Sequence, residues 1–420
     1  MLSLVTASVI LLGLERCQVH AARQPYDVRK IIDAFRHPHD DLIILCAHRG
    51  LRWNGTTENS RDAYFRASEA GLECIETDIH LSRDGYLPMI HDSGLGRTTD
   101  IGEQTGQPAY NPFTGQGYNP STHEYNFKGF IENLHLRDDQ GRVHVEAVPT
   151  LPDMVQSIYE TGTNVVLQLD FKEQAAVEPA YWALKDLTNG AGVPANEWCI
   201  YKLQARWWKT PEEFEAEPWV QDAFASGVQL AYIPVYNPED EASWDTLASL
   251  KEWAQTNYTI SAEIEVYSTG APLQNLQDYV LHSAEESETF KTTGIFYAPG
   301  DFVDPTTSEL TRFDTANYSL PEDTRVNNSV YVFQENKAPV LLDSIVGKKS
   351  LDGHDYRSDM EWIINKQRFQ WVITDTPDYW DAELRAQGKR NTKYLMAGEE
   401  DGVANGWYRR RHARELRGRY

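Results

Sequence analysis

The stretch from His48 to Asp92 holds side chains that could transfer protons beside a bound cation. His48 and His91 are histidines, whose rings exchange protons near neutral pH. Glu76 and Asp78 are two residues apart in a strand-like run, so their carboxylates lie on one face. Two carboxylates on one buried face repel each other unless one is protonated or a cation lies between them. The stretch therefore indicates acid–base chemistry beside a metal ion.

Three predicted strands would carry these side chains to a common site. One apolar run ends at His48, and another, after the turn signal Asp84-Gly85, ends at His91. An amphipathic segment with Asn59 as a candidate N-cap and Gly71 as a stop predicts a helix after the first strand. The predicted strands cover residues 42–47, 72–79 and 86–90. Polar residues at the carboxyl ends of strands that alternate with helices are typical of a parallel α/β fold.

These motifs resemble those of the glycerophosphodiester phosphodiesterase family. The resemblance extends from about residue 42 to about residue 385 and is most specific in its first part. The matching residues are His48-Arg49-Gly50, Glu58-Asn59-Ser60, Glu76, Asp78, Asp84-Gly85, His91-Asp92, Pro149-Thr150-Leu151, Asp170-Phe171-Lys172 and Val372 to Asp378. The resemblance implies an α/β fold of the (β/α)8 barrel type, with insertions over the barrel mouth.

The resemblance also implies a metal site formed by Glu76, Asp78 and Asp170. Family members usually have Glu at the last position, so the shorter Asp170 would draw the ion toward the third strand or admit a water. Three oxygen ligands without a soft donor suit Ca2+ or Mg2+. The structural alternative is that these acids only cap helices or pair with Lys172.

Five further residues receive roles from the resemblance. His48 and His91 would be the acid–base pair, without an indication of which is the base. Arg49 and Lys172 would contact the substrate phosphate, with Lys172 also counted among the catalytic groups. Glu58 would orient Arg49 or a histidine, although a favourable charge at a helix N-terminus is an alternative.

The activity implied is metal-dependent hydrolysis of glycerophosphodiesters to glycerol 3-phosphate and an alcohol. A second enzyme hypothesis is a related barrel of the sphingomyelinase D or phospholipase D type that acts on intact lipids. His48-Arg49-Gly50 and His91-Asp92 favour the first. A third hypothesis, from another class, is a secreted glycoprotein that retains the fold and binds without turnover.

The charge of the chain restricts its partners. The 420 residues carry a net charge of −24 with a sequence pI of about 4.9. Such a body repels nucleic acid and anionic membranes, and an anionic small-molecule substrate needs a local cation to bind. The length accommodates one enlarged barrel, predicted over residues 23–390, with insertions at about 100–148 and 285–328. A basic C-terminal tail is predicted over residues 391–420, and the sequence leaves the oligomeric state open.

The N-terminus predicts secretion. Residues 2–14 form an apolar run too short to span a bilayer, and Val19-His20-Ala21 fits a cleavage site, so residues 1–22 are predicted to be a signal peptide. A buried N-terminal helix is the alternative. Candidate glycosylation sequons occur at Asn54, Asn257, Asn317 and Asn327.

Three cysteines remain after removal of the signal peptide. Cys46, Cys74 and Cys199 each lie in an apolar run, which favours buried free thiols. A bridge between Cys46 and Cys74 is the less favoured alternative, because neighbours on parallel strands rarely meet disulfide geometry. The sequence has no C-x2-C pair, which argues against zinc.

The rest of the chain is predicted from the same periodicities. Residues 23–41 are expected to cover the barrel bottom, and the aperiodic residues 100–148 either to line the pocket or to form a structural flap. Glu263 and Glu265 are expected to be paired or solvated, and His80 to lie near the mouth. Further strands are predicted at 164–170, 198–203, 228–234, 260–266, 330–333 and 370–374, and the family's seventh-strand motif matches only weakly at Phe333-Gln334-Glu335-Asn336.

Overall fold

A computed structural model describes most of the chain. The described residues are 26–52, 56–111, 115–138, 141–283, 290–297, 331–332, 340–341, 356–357 and 359–398. The predicted signal peptide, the sequons at Asn54, Asn317 and Asn327, the motif from Phe333 to Asn336 and residues 399–420 of the tail lie outside this set.

Eight parallel strands form a closed barrel, so the predicted (β/α)8 fold is confirmed. In chain order the strands are Ile44–His48, Cys74–Ile79, Val166–Phe171, Cys199–Gln204, Tyr232–Tyr236, Ala262–Ile264, Thr293–Phe296 and Trp371–Thr374. Each strand pairs with its sequence neighbours among these eight, and the last strand closes the barrel on the first through pairs such as Ile44 with Trp371. Parallel strands covered on both faces are nearly continuous in apolar residues, which is why the runs were recognisable in the sequence.

Helical segments follow each strand and cover the outside of the barrel. In barrel order they are Arg61–Glu69, Leu151–Thr161, Val177–Leu184, Pro211–Glu215 with Pro218–Ala225, Thr246–Trp253, Gln274–Ser283, the π-helix Trp362–Lys366 and Pro377–Ala386. The helix Leu151–Thr161 shows how the local sequence sets the two ends of a helix. Thr150 and Asp153 form a capping box at its start, and Gly162, with φ of 62°, ends it.

The lower interior of the barrel is filled by an indole ring. Trp371 is fully buried and pairs in register with Gly294 on the adjacent strand. A Cβ atom at Gly294 would lie 1.9 Å from the indole ring, so this glycine makes the space that Trp371 occupies. Below it, Phe35 of the helix Val28–Arg36 packs edge-on against Trp371, with ring centroids 5.6 Å apart. The prediction that residues 23–41 cover the barrel bottom is therefore confirmed in its described part.

The start of the predicted tail belongs to the folded domain. Leu395 is fully buried, and its carbonyl accepts a hydrogen bond from the backbone N–H of Asp27 at 2.9 Å. Arg390 is also buried and forms a bidentate ion pair with Glu73, at 2.7 and 2.6 Å. The first residues of the predicted tail, up to residue 398, thus pack against the folded domain near the helix Val28–Arg36.

Two strand predictions are wrong. Residues 86–90 are irregular apart from an isolated bridge between Pro88 and Thr150, so His91 does not follow a strand. The seventh barrel strand is Thr293–Phe296, inside the predicted insertion 285–328. Residues 331–332 instead pair antiparallel with 340–341, outside the barrel. The seventh strand has only four residues, and one of them is a glycine. Its apolar pattern is therefore weaker than that of the longer apolar run near residue 330.

The segment between the second and third strands forms an ordered layer with its own small core. It includes the helix Ile101–Thr105, the 3-10 turns Thr122–Glu124 and Ile131–Asn133, and a hairpin of His135–Arg137 with Val143–Ala147. We call residues 80–150 the excursion. Its buried cluster contains Ile90, Leu95, Ile101, Phe127, Ile131, Leu134, Leu136 and Val148. The excursion supplies side chains to the barrel mouth, as described below.

The cysteine prediction needs a correction. Cys46 and Cys74 form a disulfide, whereas Cys199 is free and buried, as predicted. Cys46 and Cys74 are direct register partners on adjacent strands, and their Cα atoms are only 4.4 Å apart. Because the closed barrel directs both side chains to the same face at the same level, these parallel neighbours meet the distance requirement.

Removing this disulfide is expected to destabilise the protein. A cross-link across a sequence separation of 28 residues should contribute about 3 to 4 kcal/mol to the free energy of unfolding in the loop-entropy approximation. The measurement is urea denaturation of the wild type and of the Cys46→Ala/Cys74→Ala double variant, each with and without reductant. Cys199→Ala is the matched control, since it removes a buried sulfur without a bridge. A wild-type midpoint that reductant does not lower would contradict this expectation.

No helix among the described residues is both long and apolar enough to cross a bilayer. Of the sequon at residues 257–259, Asn257 is exposed and Thr259 is buried.

Candidate active site

The carboxyl ends of neighbouring strands bring ionisable side chains to one level of the barrel mouth. In register, His48 pairs with Glu76, Asp78 with Asp170, and Asp170 with Lys202. Cys46 and Cys74 lie two residues earlier on the strands of His48 and Glu76, so their bridge is on the same face below these side chains. The strands therefore place the predicted groups side by side.

A tight turn after the first strand fixes the position of Arg49. Arg49 and Gly50 both have positive φ, at 59° and 86°. A Cβ atom at Gly50 would lie 2.8 Å from the Cβ of Ala63, so only glycine fits where the turn packs on the following helix. The N-cap of that helix is Ser60 and not Asn59, which corrects the prediction by one residue. The Asn59 side chain instead donates to Asp78 at 2.8 Å.

Glu76, Asp78 and Asp170 form a cluster in which one oxygen of each lies within 4.8 Å of the others. Lys172 Nζ contacts Asp78 Oδ1 at 2.8 Å and Asp170 Oδ2 at 2.9 Å. Although burial opposes ionisation, Lys172 and Arg49 hold the pKa of Asp78 well below its usual range. Burial and the neighbouring Asp78 raise the pKa of Glu76 well above its usual range. A divalent cation fits this unequal pair, because it would favour ionised Glu76 in an oxygen-only donor set.

His48 is held by a buried carboxylate. Its Nδ1 lies 2.9 Å from Asp375 Oδ1, and its Nε2 lies 3.9 Å from Glu76 Oε2. Arg52 donates to the same Asp375 oxygen through Nε at 2.9 Å. Burial and the nearby Arg49 charge lower the pKa of His48 to about 4. His48 is therefore a neutral imidazole at neutral pH, with Nδ1–H directed at Asp375 and the Nε2 lone pair directed into the mouth.

His91 is held by a carboxylate in a similar way. Its Nδ1 lies 2.8 Å from Asp92 Oδ1, and Arg97 Nε donates to the other Asp92 oxygen at 2.7 Å. Burial, Arg49 and Lys172 together lower the pKa of His91, against the opposing effect of Asp78. Each histidine thus has a carboxylate that contacts Nδ1 and orients its ring.

Glu58 lies at the centre of three arginines. Arg97 contacts it at 2.7 and 2.9 Å, Arg52 at 3.1 Å and Arg49 at 3.2 and 3.3 Å. Arg49 also places Nε 3.1 Å from Asp78 Oδ2. Glu58 therefore holds Arg49 beside the carboxylate cluster, and links it to the supports of both histidines.

Sequence reasoning missed several members of this network. Arg52 and Arg97 received no role because a lone arginine in an irregular segment has no distinguishing pattern. Asp375 was part of a quoted motif without a role, although its place at the end of the eighth strand was an available signal. Lys202, at the end of the fourth strand, was likewise detectable from its position.

The acids on the sixth strand segment are paired and not solvated. Glu263 lies 3.3 Å from Lys202, and burial raises the pKa of Glu263 to about 7. Glu265 lies 2.5 Å from Arg357. Lys202 also approaches Asp170 at 3.8 Å, so these ion pairs continue the charged network across the mouth.

Known proteins share this chain's sequence motifs and its fold. A model of the Glycerophosphoryl diester phosphodiesterase family matches residues 48–196. An uncharacterized protein of Sinorhizobium fredii is 23% identical over 85% of this chain and 87% of its own length. A "Glycerophosphodiester phosphodiesterase domain-containing protein 4" of Macaca fascicularis is 31% identical, over 30% of this chain and 21% of its own length.

A solved structure shares the fold of this chain. The crystal structure of a glycerophosphoryl diester phosphodiesterase from Parabacteroides distasonis superposes with a TM-score of 0.51 at 16% identity, over 87% of this chain and 94% of that one. The barrel fold, the region that the family model matches and the motifs within that region are consistent with one another. Residues 48–196 therefore match the Glycerophosphoryl diester phosphodiesterase family, within a chain whose fold is a closed (β/α)8 barrel.

Proposed function

We propose that this protein hydrolyses glycerophosphodiesters to glycerol 3-phosphate and an alcohol, with the aid of a divalent cation. The observation that carries the proposal is the position of His48 and His91, each supported by a carboxylate, beside the cluster of Glu76, Asp78 and Asp170. Proton donors, proton acceptors and cations around one small space are the requirements for cleaving a phosphodiester.

Glu76, Asp78 and Asp170 would hold the cation, and their oxygen-only donor set favours Ca2+ or Mg2+. When bound, the cation would supply positive charge to the phosphate oxygens. Arg49 and Lys172 would add to it from the protein, since both lie in ion-pair contact with Asp78 at the edge of the cluster. These positive groups would offset the repulsion between an anionic substrate and a protein with a net charge of −24.

We assign the base of the first step to His48, which is neutral at neutral pH. The substrate 2-hydroxyl would attack phosphorus while its proton passes to His48 Nε2. The bond from phosphorus to the leaving oxygen would break as His91, which must enter this step in its protonated form, gives that oxygen a proton from Nε2, and a cyclic phosphate would result. In the second step water would lose a proton to His91 and open the ring, and the 2-oxygen would recover a proton from His48. Protons and bonds balance over the two steps.

We further propose that the protein is secreted. Support comes from the N-terminal apolar run and from the disulfide between Cys46 and Cys74. Disulfides persist mainly in oxidising compartments, so this bridge is compatible with export.

The function is tested by following glycerophosphocholine with added Mg2+ or Ca2+ by phosphorus NMR. The expected products are glycerol 3-phosphate and choline, and the His91→Ala variant should be slower by about 10²- to 10⁴-fold because the leaving oxygen loses its proton donor. Cleavage of sphingomyelin or lysophosphatidylcholine vesicles without cleavage of glycerophosphocholine would support the intact-lipid hypothesis instead. Absence of turnover with every diester, in folded wild-type protein, would support the non-catalytic hypothesis.

A further inference from the structure

A second cluster of metal-ligating side chains lies outside the carboxylate site. His80, His123 and Glu173 each offer a ligand atom, and these atoms all lie within 4.8 Å of one another. His123 Nε2 is 2.7 Å from Glu173 Oε2, and His80 Nδ1 is 3.4 Å from Glu173 Oε1. The three residues come from three segments. His80 follows the second strand, Glu173 follows the third strand, and His123 belongs to the 3-10 turn Thr122–Glu124 of the excursion.

The hydrogen bonds of His80 leave its Nδ1 available to a cation. His80 Nε2 lies 3.1 Å from the carbonyl oxygen of His91, and a carbonyl can only accept, so Nε2 carries the proton. Nδ1 is then the ring nitrogen that faces a carboxylate oxygen of Glu173, at 3.4 Å. Metal-ligating histidines commonly donate the other ring N–H to a backbone carbonyl in this way.

The other two ligands are also held in place. Glu173 Oε1 accepts the backbone N–H of Leu81 at 2.7 Å, which fixes the carboxylate next to His80. The turn that carries His123 has a capping box formed by Ser121 and Glu124. His80 is 6% exposed at its side chain, whereas His123 is 49% exposed, so the cluster opens to solvent on one side. An ion could therefore enter, and a fourth position could be filled by water.

We propose that His80, His123 and Glu173 form a zinc-class cation site that fastens the excursion to the barrel mouth. Two imidazoles and one carboxylate match the donors that Zn2+ prefers, and three protein ligands leave an open position. The site differs in chemistry from the cluster of Glu76, Asp78 and Asp170, whose donors are all oxygen. The proposal does not depend on the proposed hydrolysis, because it rests on ligand geometry alone.

The test is zinc binding to tag-free, full-length protein that has been stripped with a chelator. Zn2+ is titrated in competition with a chromophoric chelator, in excess Mg2+, for wild type, His123→Ala and His135→Ala. His135 is the matched control, since it is on the same excursion and 42% exposed, but pairs with Asp100. Loss of one of three ligands should weaken zinc binding by at least about 100-fold, beyond the effect of removing a supporting contact. The control should bind like wild type.

Two further readouts separate this site from the carboxylate cluster. Co2+ bound to wild type and to Glu76→Gln should give the intense visible absorption of a low-coordinate site with nitrogen ligands, and His123→Ala should not. Zn2+ should also raise the thermal midpoint of wild type and His135→Ala, but not of His123→Ala. Equal zinc affinity of His123→Ala and wild type, loss of zinc in Glu76→Gln, or no zinc binding at micromolar concentrations would each overturn the proposal. If zinc does not bind, His80, His123 and Glu173 form ion pairs only.

Discussion

The 2-deoxy analogue of glycerophosphocholine is expected to resist hydrolysis under conditions in which glycerophosphocholine is turned over fully. The reason is that the proposed nucleophile, the substrate 2-hydroxyl, is then missing. Intramolecular attack gains up to about 7 to 11 kcal/mol over a free reactant, which corresponds to many powers of ten in rate. The measurement compares kcat/KM for both compounds with the same preparation and the same added cation.

Binding of the analogue provides the control for this experiment. The analogue retains the phosphodiester that Arg49 and Lys172 would contact, so it should inhibit hydrolysis of glycerophosphocholine competitively. Equal turnover of both compounds would discard the cyclic phosphate and require direct attack by water. His48 would then have to take its proton from water and not from the substrate.

The second large effect is expected at His48. His48→Ala should lower kcat/KM by about 10²- to 10⁴-fold, the usual contribution of a positioned base. Because burial and Arg49 lower the pKa of His48 to about 4, the wild-type base is neutral above that value. The limb that His48 contributes to the wild-type pH–rate profile should therefore lie near pH 4, and not near the ordinary histidine value of about 6.5.

Asp375→Asn separates positioning from proton transfer. Its carboxylate raises the pKa of His48, so the variant should move the acid limb of the pH–rate profile to lower pH while reducing the plateau rate. A merely structural Asp375 would lower the rate without moving the limb. An His48→Ala variant that is folded and turns over at the wild-type rate would remove His48 from the mechanism.

The first part of the site was predictable because its signals are local. Glu76 and Asp78 share a face by strand alternation, and His48 follows directly on a buried apolar run, so period and order were sufficient. The barrel followed from the resemblance and from the remaining apolar runs. These features depend on neighbours a few residues apart.

The rest depends on contacts between distant residues. Arg97 meets Glu58 across a separation of 39 residues, and Asp375 meets His48 across 327, and no periodicity signals either pair. The bridge between Cys46 and Cys74 required the exact register of two strands, which a sequence pattern does not fix to the residue. The seventh strand was missed because it contains Gly294. This glycine leaves room for the Trp371 side chain, but glycine is unfavourable in strands, so the segment does not look like a strand in the sequence.

The central claim is that acids at the barrel mouth hold a cation that hydrolysis requires. It is tested by glycerophosphocholine turnover in protein stripped with EDTA, before and after addition of Mg2+ or Ca2+, for wild type and Glu76→Gln. The account predicts no turnover of the stripped wild type, recovery on addition of the cation, and no recovery in Glu76→Gln at an unchanged thermal midpoint. Full turnover by the wild type in excess EDTA would contradict it.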